Sequence, residues 1–225
     1  MASAQLSIDP YNIIIAGVGG QGNVVLSRIL GNMLSRRGYF ITVGESFGGT
    51  QRGGSVMSHL RVSARSIWSP LIPKGRADMV IALEPSEGIR VLAHYGNPKV
   101  KILSNTRAIH PVGVIAGELQ YPSIEEIKKS AHELASDAWF IDATDEALRL
   151  GNPILGNIIM LGAFSGLSAL PLEKESFREV ILEMMPEDKL DMNLKAYELG
   201  AEMLKRVVLD TTSRDKTDSG AMNAI

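Results

Sequence analysis

As far as Asn152 the chain alternates short β-branched runs with stretches of helical spacing, and beyond it only helical spacing remains. Residues 12–16 (NIIIA) are apolar almost throughout, the mark of a strand covered on both faces. Val24, Val25, Leu26, Ile29, Leu30, Met33 and Leu34 then recur at helical spacing up to Gly38, a natural stop. YFITVG reads as a second strand. Residues 55–62 alternate, with Val56, Ser58, Leu60 and Val62 on one side and Met57, His59 and Arg61 on the other, so the pattern predicts a strand with unequal faces. ADMVIALEP, VKILSN and AWFIDAT predict three further strands. Pro85 suits the first turn of a helix to about Tyr95, and Ser123 with Glu126 forms a capping box for another to about Ala135.

From Asn152 the segment PILGNIIMLGAFSGLSAL is rich in small and apolar residues, suited to close helix packing, and two more helices are expected over residues 173–185 and 189–209. From Thr211 the tail is polar and without periodicity, so it is expected to be disordered. The pattern predicts an α/β fold: a mainly parallel, Rossmann-like sheet with helices on both faces and a helical C-terminal third. Residues 1–210 are expected to form one domain and 211–225 a tail.

Composition narrows the function classes. Hydrophobic residues make up 45% of the 225, enough for a sizeable core, and a net charge of -2 does not favour a general grip on nucleic acid. No cysteine is present, which excludes disulfides, a thiol nucleophile and a cysteine-held iron–sulfur cluster on this chain. The first residues lack the basic start and apolar core of a signal peptide, and no run nears the roughly 20 apolar residues of a membrane helix. A cytoplasmic location is expected.

Two glycine clusters carry the candidate chemistry. GVGGQG, residues 17–22, fits G-x-G-x-x-G through Gly17, Gly19 and Gly22, between a predicted strand and a predicted helix. Such a turn admits a phosphate to free helix N–H groups, or only permits a sharp bend. Glu45 ends the second strand about 20 residues on, where a dinucleotide-binding protein keeps its ribose carboxylate. A stand-alone NAD- or FAD-binding oxidoreductase is therefore one reading. Against it, Gln21 has an amide able to reach across the crevice, and Glu45 leads into GESFGGTQRGGSVMSHLR, a glycine loop and strand, instead of a helix.

GVGGQG followed by QRGGSVMSHLR resembles the gamma subunit or domain of 2-oxoacid:ferredoxin oxidoreductases, and most closely its indolepyruvate oxidoreductase branch, where the small (beta) subunit is of gamma type. GNIIMLGAFSGL, through Asn157, Leu161, Gly162 and Ala163, and NLKAYELG, through Asn193, Ala196, Tyr197 and Gly200, fit the same family, so the resemblance runs over about residues 12–205. It implies a non-cluster subunit of a thiamine-diphosphate enzyme that decarboxylates a 2-oxoacid oxidatively to an acyl-CoA. A larger partner would hold thiamine diphosphate and the iron–sulfur clusters and pass electrons to ferredoxin, in a dimer of heterodimers. Coenzyme A would lie near this chain. Many gamma subunits read YGPEMRGG where this chain reads FGGTQRGG at residues 47–54, a departure that points to the aryl-pyruvate branch.

The candidate cofactor-binding residues are Gly17, Gly19, Gly20, Gln21, Gly22, Ser46, Gln51, Arg52, Gly53, Gly54 and Asn157. Arg52 leads them, because a guanidinium between glycines can present its planar fork to phosphate or carboxylate. Asn157 could equally cap its helix. His59 reads as a hydrogen-bonded or interface residue, and Asp142 and Asp145 as helix caps in preference to metal ligands. No nucleophile–base pair stands out, so no catalytic residue is assigned. A scaffold module whose glycine loops only shape an interface is the remaining reading.

Overall fold

The computed structural model describes residues 6–48 and 54–222. Six strands, β1 (Tyr11–Val18), β2 (Phe40–Phe47), β3 (Ser55–Ser63), β4 (Met79–Ala82), β5 (Lys101–Asn105) and β6 (Asp137–Ile141), form one sheet in the order β2-β3-β1-β4-β5-β6. β1, β4, β5 and β6 run parallel, whereas β3 is antiparallel to both β1 and β2. The sheet is thus mostly parallel but mixed. β2 and β3 pair antiparallel, and β3 takes the place beside β1.

Among the described residues eight α-helices join the sheet: α1 (Asn23–Arg36), α2 (Pro85–Tyr95), α3 (Val112–Ile115), α4 (Ile124–Leu134), α5 (Ala143–Arg149), α6 (Gly156–Gly166), α7 (Lys174–Met184) and α8 (Leu190–Met222). Period two in β1 divides the core. Ile13 and Ile15 join Leu26 and Leu30 of α1 and Ile158 of α6 on one face. Ile14 and Ala16 join Val91 and Leu92 of α2 and Ala131 of α4 on the other. Each buried isoleucine stabilises by about 1.5–3 kcal/mol, and a one-residue slip would swap the faces of the whole strand, so the register is fixed by burial.

Local signals act as their chemistry dictates. Pro85 starts α2, and Ser123 and Glu126 exchange both bonds of a capping box at α4. α6 and α8 approach so closely that a Cβ on Gly162 would lie 1.9 Å from the Tyr197 carbonyl oxygen, and one on Gly200 1.9 Å from that of Ile159. Tyr197 stacks on Phe177 of α7 with ring centroids 4.3 Å apart and donates to the Leu172 carbonyl, and burial pushes its phenol up to about 12. α8 continues to Met222, past the Thr211 where the sequence pattern ends it. No proline interrupts that stretch and its first glycine is Gly220, so nothing in the backbone chemistry stops the helix.

Candidate functional site

The chain leaves β1 for α1 on one face of the sheet and leaves β4 for α2 on the other. The strand ends therefore part at a crevice between β1 and β4, the place where open α/β sheets bind ligands. GVGGQG forms one wall. Gly20 and Gly22 have φ of 101° and 85°, a left-handed backbone that side chains disfavour. Gly22 also has no room, since a Cβ there would lie 2.2 Å from Asn157 Nδ2. At Gly17 the limit is space alone, because a Cβ would meet Gln21 Oε1 at 2.6 Å.

Gln21 does reach across the crevice. Its Oε1 accepts from the Val18 N–H at 2.8 Å and its Nε2 donates to the Leu83 carbonyl at 2.8 Å, joining the ends of β1 and β4. Asn157 donates to the Gly22 carbonyl at 3.4 Å, so it ties the start of α6 to the glycine turn and does not cap its own helix. The Gly19 N–H donates to the Gly54 carbonyl at 2.8 Å, and the Gly48 N–H to that of Ser55 at 2.6 Å. The second glycine cluster thus stands beside the first at its Gly54 end, and Gly48 bonds across the β2–β3 pair. Gln51, Arg52 and Gly53 lie outside the described residues. Ser46 sits exposed on the edge strand and lines no cavity at the glycine turn.

A cavity of about 460 Å³ opens at the carboxyl ends of β1, β4 and β5. Gly19, Gly20, Gln21 and Asn157 line it, with Val18, Leu83, Ile109, Ile154 and Met160 supplying apolar walls. Three residues that the sequence reading passed over also line it: Asn105, Arg107 and Thr144. Asn105 is buried, donates to the Leu83 carbonyl at 3.1 Å and to Thr144 Oγ1 at 2.8 Å, and fixes the β5 end. Arg107 is the charged residue among those lining the cavity, held loosely by Asp145 at 3.4 Å with both side chains half exposed. The signal available in the sequence was position: each polar residue closely follows or ends a strongly apolar strand. A second hollow of about 280 Å³ lies on the other side of the glycine turn, against Val25, Phe47 and Val56.

The electrostatics of the remaining candidates are structural. His59 is 1% exposed, accepts from the Ile72 N–H through Nδ1 at 3.3 Å and meets the Tyr95 ring edge-on. Burial pushes its pKa below the ordinary histidine value, so it is a neutral core group. Arg61 is buried over Trp68 and donates to Asn12 Oδ1 and the Ser69 carbonyl. Asp142 stands at the start of α5 but its carboxylate accepts from Thr106 instead of capping, and Asp145 pairs with Arg107, which corrects the capping expectation for both. Glu45 corrects the dinucleotide expectation. With β3 inserted, its strand lies two spacings, about 10 Å, from β1.

Comparison with known proteins agrees with this architecture. The family model described as "Pyruvate ferredoxin/flavodoxin oxidoreductase" matches residues 12–203. The indolepyruvate oxidoreductase subunit IorB of Thermococcus kodakarensis is 35% identical over 199 residues, covering 88% of this chain and 98% of that one. The pyruvate oxidoreductase subunit PORC of Thermotoga maritima shares the fold with a TM-score of 0.65 at 20% identity, over 87% of this chain and 97% of that one. The 2-oxoglutarate:ferredoxin oxidoreductase of Magnetococcus marinus, solved with 2-oxoglutarate, coenzyme A and succinyl-CoA bound, has a TM-score of 0.68 at 18% identity. The match covers 89% of this chain and 32% of that longer one.

Proposed function

Because the chain belongs to the pyruvate ferredoxin/flavodoxin oxidoreductase family, we propose that it is the non-cluster subunit of an indolepyruvate or other aryl-pyruvate:ferredoxin oxidoreductase, with part of coenzyme A received in the cavity between β1 and β4. The cluster chemistry does not fit this chain. It has no cysteine, and among the described residues no three His, Asp or Glu side chains are grouped to hold a metal. The clusters are therefore assigned to a larger partner, and the family resemblance adds thiamine diphosphate on that partner, ferredoxin as acceptor and a dimer of heterodimers as the proposed assembly.

The observation that carries the ligand reading is the make-up of the cavity. Its volume falls within the range of small-molecule sites, its walls are mainly apolar, and one guanidinium stands among them. Coenzyme A, when bound, supplies the thiol that takes up the acyl group. Val18, Leu83, Ile109 and Met160 would cover its uncharged arm and exclude water. Arg107, in only a loose pair, is available to a phosphate. Gln21, Asn105 and Asn157 hold the walls in place through backbone carbonyls. Arg52 is assigned to the same ligand or to closure against the partner.

The test is coenzyme A titration of the assembled complex by calorimetry, with Arg107→Ala as the variant. Binding weakened about tenfold is expected for loss of one charge-assisted contact. Unchanged affinity in the variant would remove Arg107 from the site. Saturable binding of NAD or FAD by the chain alone would restore the dinucleotide reading.

A further inference from the structure

Glu84 is a carboxylate only 1% exposed, and no basic side chain pairs with it among the described residues. A buried charge of this kind persists only when hydrogen bonds replace its water. Four donors do so, and they divide by oxygen. Oε2 accepts from Ser86 Oγ at 2.7 Å and from the Glu87 N–H at 2.9 Å, capping α2. Oε1 accepts from the Ile109 N–H at 3.3 Å and from the Tyr121 hydroxyl. These last two residues are the ends of one surface strap.

Between them the strap is held to itself. Its backbone bonds run among residues 111–119, and α3 within it buries no residue. Val112, Ile115 and Leu119 are 80%, 75% and 63% exposed. The His110 ring lies against the Tyr121 ring, again within the strap. At its near end Ile109 lines the cavity, and Arg107 two residues earlier lines it too.

We infer that Glu84 is a positioning residue, in which one oxygen caps α2 and the other latches both ends of the 109–121 strap, setting where Ile109 and Arg107 stand at the cavity mouth. The inference rests on the reading of that cavity as a coenzyme A site. A single carboxylate, through its two oxygens, joins the helix that starts at the β4 end to the rim that closes over it, so strap and crevice move as one while the latch holds. Burial, followed by the Glu84 bond, holds the Tyr121 phenol well above its ordinary range, so the hydroxyl remains a donor throughout the working pH range.

Two variants separate latch from cap, because each removes one hydrogen bond to the same carboxylate. Tyr121→Phe frees the strap end and keeps the ring; Ser86→Ala removes a bond to Oε2 and its side-chain contact with the Tyr121 hydroxyl, and leaves both bonds to Oε1. Hydrogen–deuterium exchange on the full chain reads both. Tyr121→Phe is expected to speed exchange of the Ile109 amide and its neighbours through residue 121 by about tenfold, with α2 and α4 at wild-type rates. Ser86→Ala is expected to speed strap exchange by less than about threefold, because both bonds to Oε1 remain. In the assembled complex, Tyr121→Phe should raise KM for coenzyme A several-fold while kcat changes little. Wild-type exchange of the strap in Tyr121→Phe, or an equal rise throughout the chain, would overturn the latch. A freed strap with an unchanged KM would instead overturn the ligand reading of the cavity.

Discussion

Gly22 shows how much of the site depends on a single residue. Its left-handed backbone and the 2.2 Å approach of Asn157 are separate demands, and both would be violated by one methyl group. Gly22→Ala should cost about 1–2 kcal/mol for the backbone alone, and more for displacing Asn157. Urea unfolding of Gly22→Ala with and without Asn157→Ala checks this. The second substitution should recover part of the loss, as expected of residues in contact. His59 has a pH consequence. Its pKa is lowered in the folded chain, so the unfolded chain binds the proton more readily below about 6.5. Stability should therefore fall as pH drops from 7 towards 5, and His59→Asn should flatten that part of the profile. A slope unchanged in the variant would assign the effect elsewhere. Residue identity was a partial guide at this scale. Gln21 and Asn157 stood inside glycine-bearing motifs and could be found. Asn105, Arg107 and Glu84 belong to no motif, and their roles arise only where separate strands end together.

Among the elements, the β2–β3 hairpin is the most informative. The alternation of residues 55–62 made β3 legible, and the missing helix after Glu45 already argued against a dinucleotide unit. The insertion of β3 between β2 and β1 was not legible, because alternation gives a strand its faces and not its neighbours. The unequal faces do fit that position. Leu60 and Val62 enter the α1 side of the core, while His59 and Arg61 bond to the 64–72 loop. The small-residue texture of α6 was a correct sign of close packing, and its physical limit is the Gly162–Tyr197 contact. Gly162→Ala should destabilise by about 1–3 kcal/mol or more through overpacking, read as a lower urea midpoint with an unchanged slope. A neutral result would mean that α8 can move away at little cost. α8 runs on past the Leu209 where the helical pattern was expected to end, because absence of an apolar stripe does not by itself stop a helix.

For the whole molecule, the alternation of apolar runs sufficed for an α/β sheet covered on both faces, and the order of glycine motifs sufficed for the family. Assembly is a property that neither can supply. The strap is apolar and exposed beside the crevice, and the Magnetococcus marinus enzyme carries a domain of this fold within a chain about three times as long. No helix among the described residues is long and apolar enough to cross a membrane. Membership of the family makes the chain a subunit of an oxidoreductase complex. The direct measurement is reconstitution: indolepyruvate- and coenzyme A-dependent reduction of a viologen dye by this chain, by the proposed cysteine-rich partner, and by the two together. Turnover only in the mixture is the expected result. Full turnover by the partner alone would contradict the assignment of this chain as a necessary subunit.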